Sequence, residues 1–163
     1  MRIGVISDSH DRVPFVEKGV EIFNSHNLDA VLHCGDFVSP FSLLPFKKLD
    51  APFYAVFGNN DGEREGLKSI FDDNGWSLNE RPWFFEIRGK RIAMLHEPDQ
   101  LARIAQSEKF DLLVFGHTHE KLVKKEKKRL FVNPGESCGW VKGKPTVAIV
   151  DLELQTCEFI GLA

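Results

Sequence analysis

A chain of 163 residues is the size of one ordinary globular core, and with 42% hydrophobic residues and 14 Phe it has the apolar surface to build one, which excludes a disordered chain. A net charge of −3 at pH 7 and a pI near 6.1 argue against a surface made to hold nucleic acid, which needs a strong positive excess. The cysteines Cys34, Cys138 and Cys157 are odd in number, far apart and outside any CxxC pattern, so neither a disulfide framework nor a thiolate zinc site is indicated.

From the N-terminus, Met1-Arg2 leads straight into a short apolar run, too short for a signal peptide, and no later run is long enough to cross a bilayer, so no targeting is visible, and the cysteine pattern makes a reduced cytoplasm the expected location. Ile3–Ser7 reads as the first strand and is followed at once by the polar loop SDSHD. A helix is expected over about 13–26, with Pro14 near its start, then a strand at Ala30–His33 and the loop CGDF. A second helix at about 40–48 leads to a strand at Phe53–Phe57, the loop GNND and a third helix at about 63–74. Strand, loop, helix, strand is the grammar of βαβ units, so these early strands should run parallel with both faces buried.

After about residue 76 the pattern changes. Phe84–Ala93 reads as a hairpin turning at Gly89-Lys90, Arg91–His96 as a strand, about 98–107 as a helix and Leu112–Phe115 as a strand ending in GHTH. Lys121–Val132 reads as a second hairpin that includes a strand at Leu130–Val132, and Thr146–Asp151 as a last strand. The charged tract Lys124–Arg129 at that hairpin's tip reads as a solvated, edge-blunting turn and not as a phosphate site. Antiparallel additions to a parallel start imply two mixed sheets face to face with helices outside. With no linker or repeat in view, residues 1–163 read as one α/β domain.

The chemistry gathers at the strand ends. The loops SDSHD (7–11), CGDF (34–37), GNND (58–61), LHE (95–97) and GHTH (116–119) each close an apolar run and each carry Asp, Asn or His. Ligands of α/β sheets bind outside the carboxyl ends of the strands, so these loops should converge. Asp8, His10, Asp36, Asn59, His96, His117 and His119 then offer oxygen and imidazole donors of the kind that hard or borderline divalent cations take. That set is too large for one ion that must also admit water and substrate, and it suits two ions sharing a carboxylate. Two such ions can clamp a phosphoryl group and ionise a water between them, which points to phosphoester hydrolysis. Asp8 and His10, two positions apart, would face the same way if the strand end stayed extended. Gly35 and Gly58 would give clearance around the ions. His33 reads as a core imidazole and His26 as a solvated helix end.

The order DxH, GD, GNxD, H, GHTH resembles the calcineurin-like metallophosphoesterase superfamily, and the compact length with VNPGE after the GHTH resembles its small archaeal and bacterial phosphodiesterase branch. The resemblance implies a four-layer α/β/β/α sandwich of two mixed sheets flanked by helices. It implies Asp8, His10 and His119 on a first ion, Asn59, His96 and His117 on a second, and Asp36 bridging. Mn²⁺ is the ion most often found in such proteins, with Ni²⁺, Fe, Zn²⁺ and Mg²⁺ also occurring. The implied activity is hydrolysis of a small phosphodiester by a hydroxide activated at the dinuclear centre, with Asp36, Asn59, Asn60, Asp61 and His96 as catalytic candidates.

Two positions depart from the family pattern. Asn60 stands where many members carry a histidine assigned to protonating the leaving group or binding the phosphate. Small phosphodiesterases of this branch often have another residue there, which leaves the general acid unassigned, with Asp61 or a metal-bound water as alternative donors. Glu97 follows His96 where glycine is usual, and would narrow the pocket or add negative charge. A phosphomonoesterase or nuclease would be expected to carry a cap or an extra domain for which this length leaves no room. A scaffold like the retromer subunit would be expected to have lost metal ligands that are all present here. No stable nucleic-acid or membrane partner is expected. Trp76, Trp83 and Trp140 are candidates for an interface between copies.

Overall fold

The computed structural model describes residues 1–163. The early strands β1 (Arg2–Ile6), β2 (Ala30–His33), β3 (Phe53–Val56) and β4 (Ser77–Asn79) pair parallel in that order. β10 (Thr146–Asp151) adds antiparallel to β1, and β11 (Thr156–Gly161) adds antiparallel to β10, completing a six-stranded mixed sheet. The second sheet has five strands in the order β5 (Trp83–Ile87), β6 (Lys90–Met94), β7 (Leu112–Val114), β9 (Arg129–Pro134) and β8 (Lys121–Glu126). Within it β6, β7 and β9 are parallel, while β5 and β8 close hairpins at either edge.

Strand alternation builds the layers. Ile3 and Val5 of β1, Ala30 and Leu32 of β2, and Ala148 and Val150 of β10 bury one face against Ile92, Met94, Leu112, Val114, Leu130 and Val132 of the other sheet. The intervening residues Ile6, Val31, Val147 and Ile149 point outward and are covered by Val16, Val20 and Phe23 of α1 (Val13–Asn24) and Leu67 and Phe71 of α2 (Arg64–Asp73). On the far side, Leu113 and Phe131 meet Ile104 of α3 (Leu101–Ser107). Three apolar layers separated by two sheets make the four-layer α/β/β/α sandwich that the sequence implied. No helix is long and apolar enough to cross a membrane.

Several boundaries differ from the sequence reading, each for a local reason. Residues Pro40–Lys48 form a 3₁₀ helix, with Pro45 inside it lacking the N–H and adding the ring that an α-helix interior does not accommodate. The expected helix at 98–107 divides into a 3₁₀ turn at Pro98–Gln100 and α3. The first hairpin turns at Arg88-Gly89 and not at Gly89-Lys90, with both residues left-handed at φ 48° and 78° and Ile87 facing Lys90, as a two-residue turn of that hand requires. β4 and β11 are additional strands. Trp76 lies edge-on to Phe53 and Phe71, and Trp83 stacks on Phe85. Of the three tryptophans only Trp140 is among the exposed large apolar residues.

Candidate metal centre

The carboxyl ends of β1, β2 and β3 in one sheet and of β6 and β7 in the other open onto a common edge, and the five motif loops meet there. The backbone at Asp8 is not extended, so the condition under which strand alternation would face Asp8 and His10 the same way is not met. β1 stops at Ile6, and the chain then crosses onto the loop after β2, with Asp8 N–H donating to the Gly35 carbonyl and His10 N–H to the Asp36 carbonyl, both at 3.1 Å. Asp8 and His10 take left-handed φ of 52° and 37°, and Asp36, His117 and His119 take 62°, 67° and 60°. Left-handed backbone is costly for residues with a Cβ and gathers where function imposes it. Here it occurs at five polar residues that line the common edge. Two glycines let the loops come that close: a Cβ on Gly58 would lie 2.1 Å from an Asp36 oxygen, and one on Gly116 would lie 2.0 Å from Ser7 Oγ.

The donor atoms fall into two groups that share Asp36. On one side, Asp8 Oδ1 lies 3.4 Å from His119 Nε2 and 4.0 Å from His10 Nε2, and His10 Nε2 lies 3.5 Å from Asp36 Oδ2. On the other, Asn59 Oδ1 lies 2.9 Å from His96 Nε2 and 3.0 Å from His117 Nδ1, while His96 Nε2 is 3.3 Å from the same Asp36 Oδ2. The two GHTH histidines therefore face different groups. Asp8, His10 and Asp36 each present a ligand atom within 4.8 Å of the others. His10 Nε2 is buried with no hydrogen-bond partner, an uncommon condition for a polar atom and one that a cation would relieve. The donor set thus fits divalent metal coordination, with Asp36 shared by the two groups of donor atoms.

Neighbouring groups fix the tautomers. His96 Nδ1–H donates to the Cys34 carbonyl at 2.7 Å, so in the neutral ring it is Nε2 that carries the lone pair, facing Asp36 and Asn59. His119 Nδ1–H donates to Glu136 Oε2 at 2.6 Å, which leaves its Nε2 facing Asp8. Glu136, at the end of β9, was not singled out from sequence. It is fully buried and also accepts the backbone N–H groups of Val141, Lys142 and Gly143. Burial alone would raise its carboxyl pKa, but His119 and these amides hold it below the usual range. Burial pushes the Asp8 carboxyl up, against the pull of His96 and His119. For the Asp36 and His96 pair burial is opposed by their mutual hydrogen bond and charge, so Asp36 is held well below, and His96 above, its ordinary value.

Other expected residues settle into distinct places. Asn60 lies at the open side, with its N–H and its Nδ2 each donating to Asp36 at 2.8 Å. Asp61 turns away: its carboxylate accepts the backbone N–H groups of Asp36 at 3.0 Å, Val38 at 2.9 Å and Gly58 at 2.6 Å, binding two motif loops together. Glu97 does not add a free charge to the pocket, because Arg81 grips both its oxygens at 2.5–2.6 Å. His33 is the core imidazole that its sequence suggested, stacked on Phe37 and bonded to Ser9. Cys138, which no sequence spacing marked, places its sulfur within 4.8 Å of ring nitrogens of His10 and His119, with burial pushing the thiol up to about 12.

A four-layer sandwich whose paired sheets present Asp, Asn and His at their strand ends defines a phosphoesterase fold, and the chain belongs to the calcineurin-like phosphoesterase superfamily, whose domain model matches residues 1–155. It is 40% identical over 156 residues to a phosphodiesterase of Methanocaldococcus jannaschii, covering 94% of each chain. The solved structure of an archaeal phosphodiesterase superposes with a TM-score of 0.91 at 39% identity, covering 99% of both chains. Vps29 of Entamoeba histolytica, at 19% identity and a TM-score of 0.69 over 99% of both chains, shares the fold.

Proposed function

We propose that this protein is a metal-dependent phosphodiesterase acting on a small diester in the cytoplasm. The observation that carries this reading is the single carboxylate, Asp36, standing between two groups of donor atoms. Asp8, His10, Asp36 and His119 would hold one divalent ion and Asp36, Asn59, His96 and His117 the other, with Mn²⁺ the expected occupant. Two ions so placed would supply Lewis acidity to the phosphoryl oxygens and make a water acidic enough to attack at neutral pH.

The chain's own residues divide the remaining work. Cys34 and Glu136 orient the imidazoles of His96 and His119, and Asp61 fixes the loops that carry Asp36 and Asn59. Asn60, exposed beside Asp36, can donate an N–H to a phosphoryl oxygen. As the new P–O bond forms, the bond to the departing alcohol breaks and the electron pair leaves on that oxygen, with no ionisable side chain at position 60 to protonate it. The net charge of −3 favours a small substrate over a nucleic-acid strand.

The test is a metal titration of chelated protein against bis(4-nitrophenyl) phosphate and 4-nitrophenyl phosphate, with Asp36→Asn as the variant. Two ions per chain, preference for the diester, and loss of both ions and activity in a folded Asp36→Asn protein are expected. A variant that keeps two ions and normal turnover would show that Asp36 does not bridge, and a preference for the monoester would favour a phosphomonoesterase.

A further inference from the structure

The metal centre opens to solvent on the side of Asn59, Asn60 and His117, all of them exposed, so binding energy beyond the phosphate has to come from the rim. On the His10 side, the rim carries an aromatic group. The loop after Glu136 returns to the centre, and Trp140 Nε1–H donates to the backbone carbonyl of His10 at 3.3 Å. That bond pins one edge of the indole beside a candidate metal ligand, yet the side chain stays 59% exposed. The Arg12 guanidinium lies 4.0 Å above the indole centroid and 4.9 Å from the Phe15 ring. Arg12 makes no ion pair with any carboxylate of the chain, although the other rim arginine, Arg81, is fully engaged by Glu97.

An exposed tryptophan held in place at the lip of an active site, with a carboxylate-free guanidinium over it, is costly to keep in water and makes no apolar core. Its geometry does suit a ligand. An indole offers a stacking surface of low conformational entropy for any planar ring, and a guanidinium offers a fork of N–H donors for phosphate, carbonyl or hydroxyl oxygen. We propose that Arg12 and Trp140 form a subsite for the organic arm of the diester, and that the preferred substrates carry a planar aromatic group such as a nucleobase on that arm. The proposal rests on the phosphodiesterase reading of the same centre. It makes Trp140 a specificity residue, which touches the substrate away from the reacting atoms.

The test compares two diesters with one leaving group and different retained arms: thymidine 5′-(4-nitrophenyl) phosphate and methyl 4-nitrophenyl phosphate. The native enzyme should prefer the thymidine ester through KM. Trp140→Ala should reduce that preference roughly tenfold, the scale of one lost stacking contact, with the change in KM and not in kcat. Trp140→Phe, which keeps a ring but loses the N–H bond to His10, should retain most of the preference. Equal losses on both esters would mean that Trp140 only supports His10, and would overturn the proposal, as would a native enzyme that does not distinguish the two. Should neither ester be cleaved, the hydrolase reading fails separately, and the subsite is decided by binding. Thymidine 5′-monophosphate should then quench indole fluorescence of Mn²⁺-loaded protein at concentrations where methyl phosphate does not, and Trp140→Ala should abolish the difference. Equal quenching by both ligands would overturn the proposal on that arm too.

Discussion

Asn60 brings a carboxamide, and not an ionisable group, to the open side of the centre beside Asp36. Its carboxamide sits 2.8 Å from Asp36 at the exposed side of the centre, where a departing alcohol would pass, and it cannot ionise near neutral pH. Asp61, the neighbouring carboxylate, has both oxygens turned to backbone N–H groups and neither toward that opening. Departure should therefore depend on the stability of the leaving anion itself. Across a series of diesters with graded phenols and alcohols, turnover should fall steeply as leaving-group pKa rises, and Asn60→His should flatten the slope by giving the site a titratable donor. A shallow slope that the variant does not alter would place the proton source elsewhere, in solvent or on another side chain.

At the scale of elements, the strand-end loops were legible because each apolar run stops abruptly on Asp, Asn, His or Gly. That pattern marked the strand-end donors from Asp8 to His119, but not Cys138, whose sulfur lies among the ring nitrogens of His10 and His119. What it missed depends on how the chain travels after the strand ends. The spacing of Asp8 and His10 would put them on one face only of an extended backbone, and they lie on a left-handed crossing onto the Gly35–Asp36 loop, which is set by tertiary hydrogen bonds that local spacing does not encode. β4 is only three residues long, and β11 alternates polar and apolar residues that are half exposed at an edge, so neither stands out as an apolar run.

Glu136 escaped for a different reason. It is a carboxylate that meets no ligand in sequence and is brought to His119 only by the pairing of β7 with β9. It ties three elements together: the end of β9, the loop at 141–143 and the GHTH loop. Glu136→Gln should keep the volume but point an amide N–H₂ at other N–H donors. Affinity for the first ion should fall by about 10–100-fold, the usual effect of removing the partner that orients a metal-binding histidine. Calorimetric titration should show one weakened and one near-native site. Two unaffected sites would make Glu136 a loop clasp only.

At the scale of the whole molecule, the centre lies across the seam between the sheets. Asp8, Asp36 and Asn59 come from the ends of β1, β2 and β3, and His96, His117 and His119 from the ends of β6 and β7. Apart from the apolar layer between the sheets, these donors are a principal cross-link, and ions held by both sides should stabilise the fold by mass action. At free Mn²⁺ about 100 times each Kd, the gain is about 2.7 kcal/mol per site. For a protein of this size that corresponds to a Tm rise of roughly 10–20 °C over the chelated form if both sites fill. The gain should depend on pH in a definite direction. His96, whose pKa is raised in the folded protein, lends the metal-free form stability that is present at low pH and is lost as pH rises through its folded value. An ion held by His96 must displace that proton, so the Mn²⁺-induced rise in Tm should be large at pH 7.5 and shrink toward pH 5.5. Thermal melts with chelator and with Mn²⁺ at both pH values decide the matter: an equal rise at both would mean that the imidazoles do not ligate, and no rise at either would mean that the centre does not join the sheets through metal.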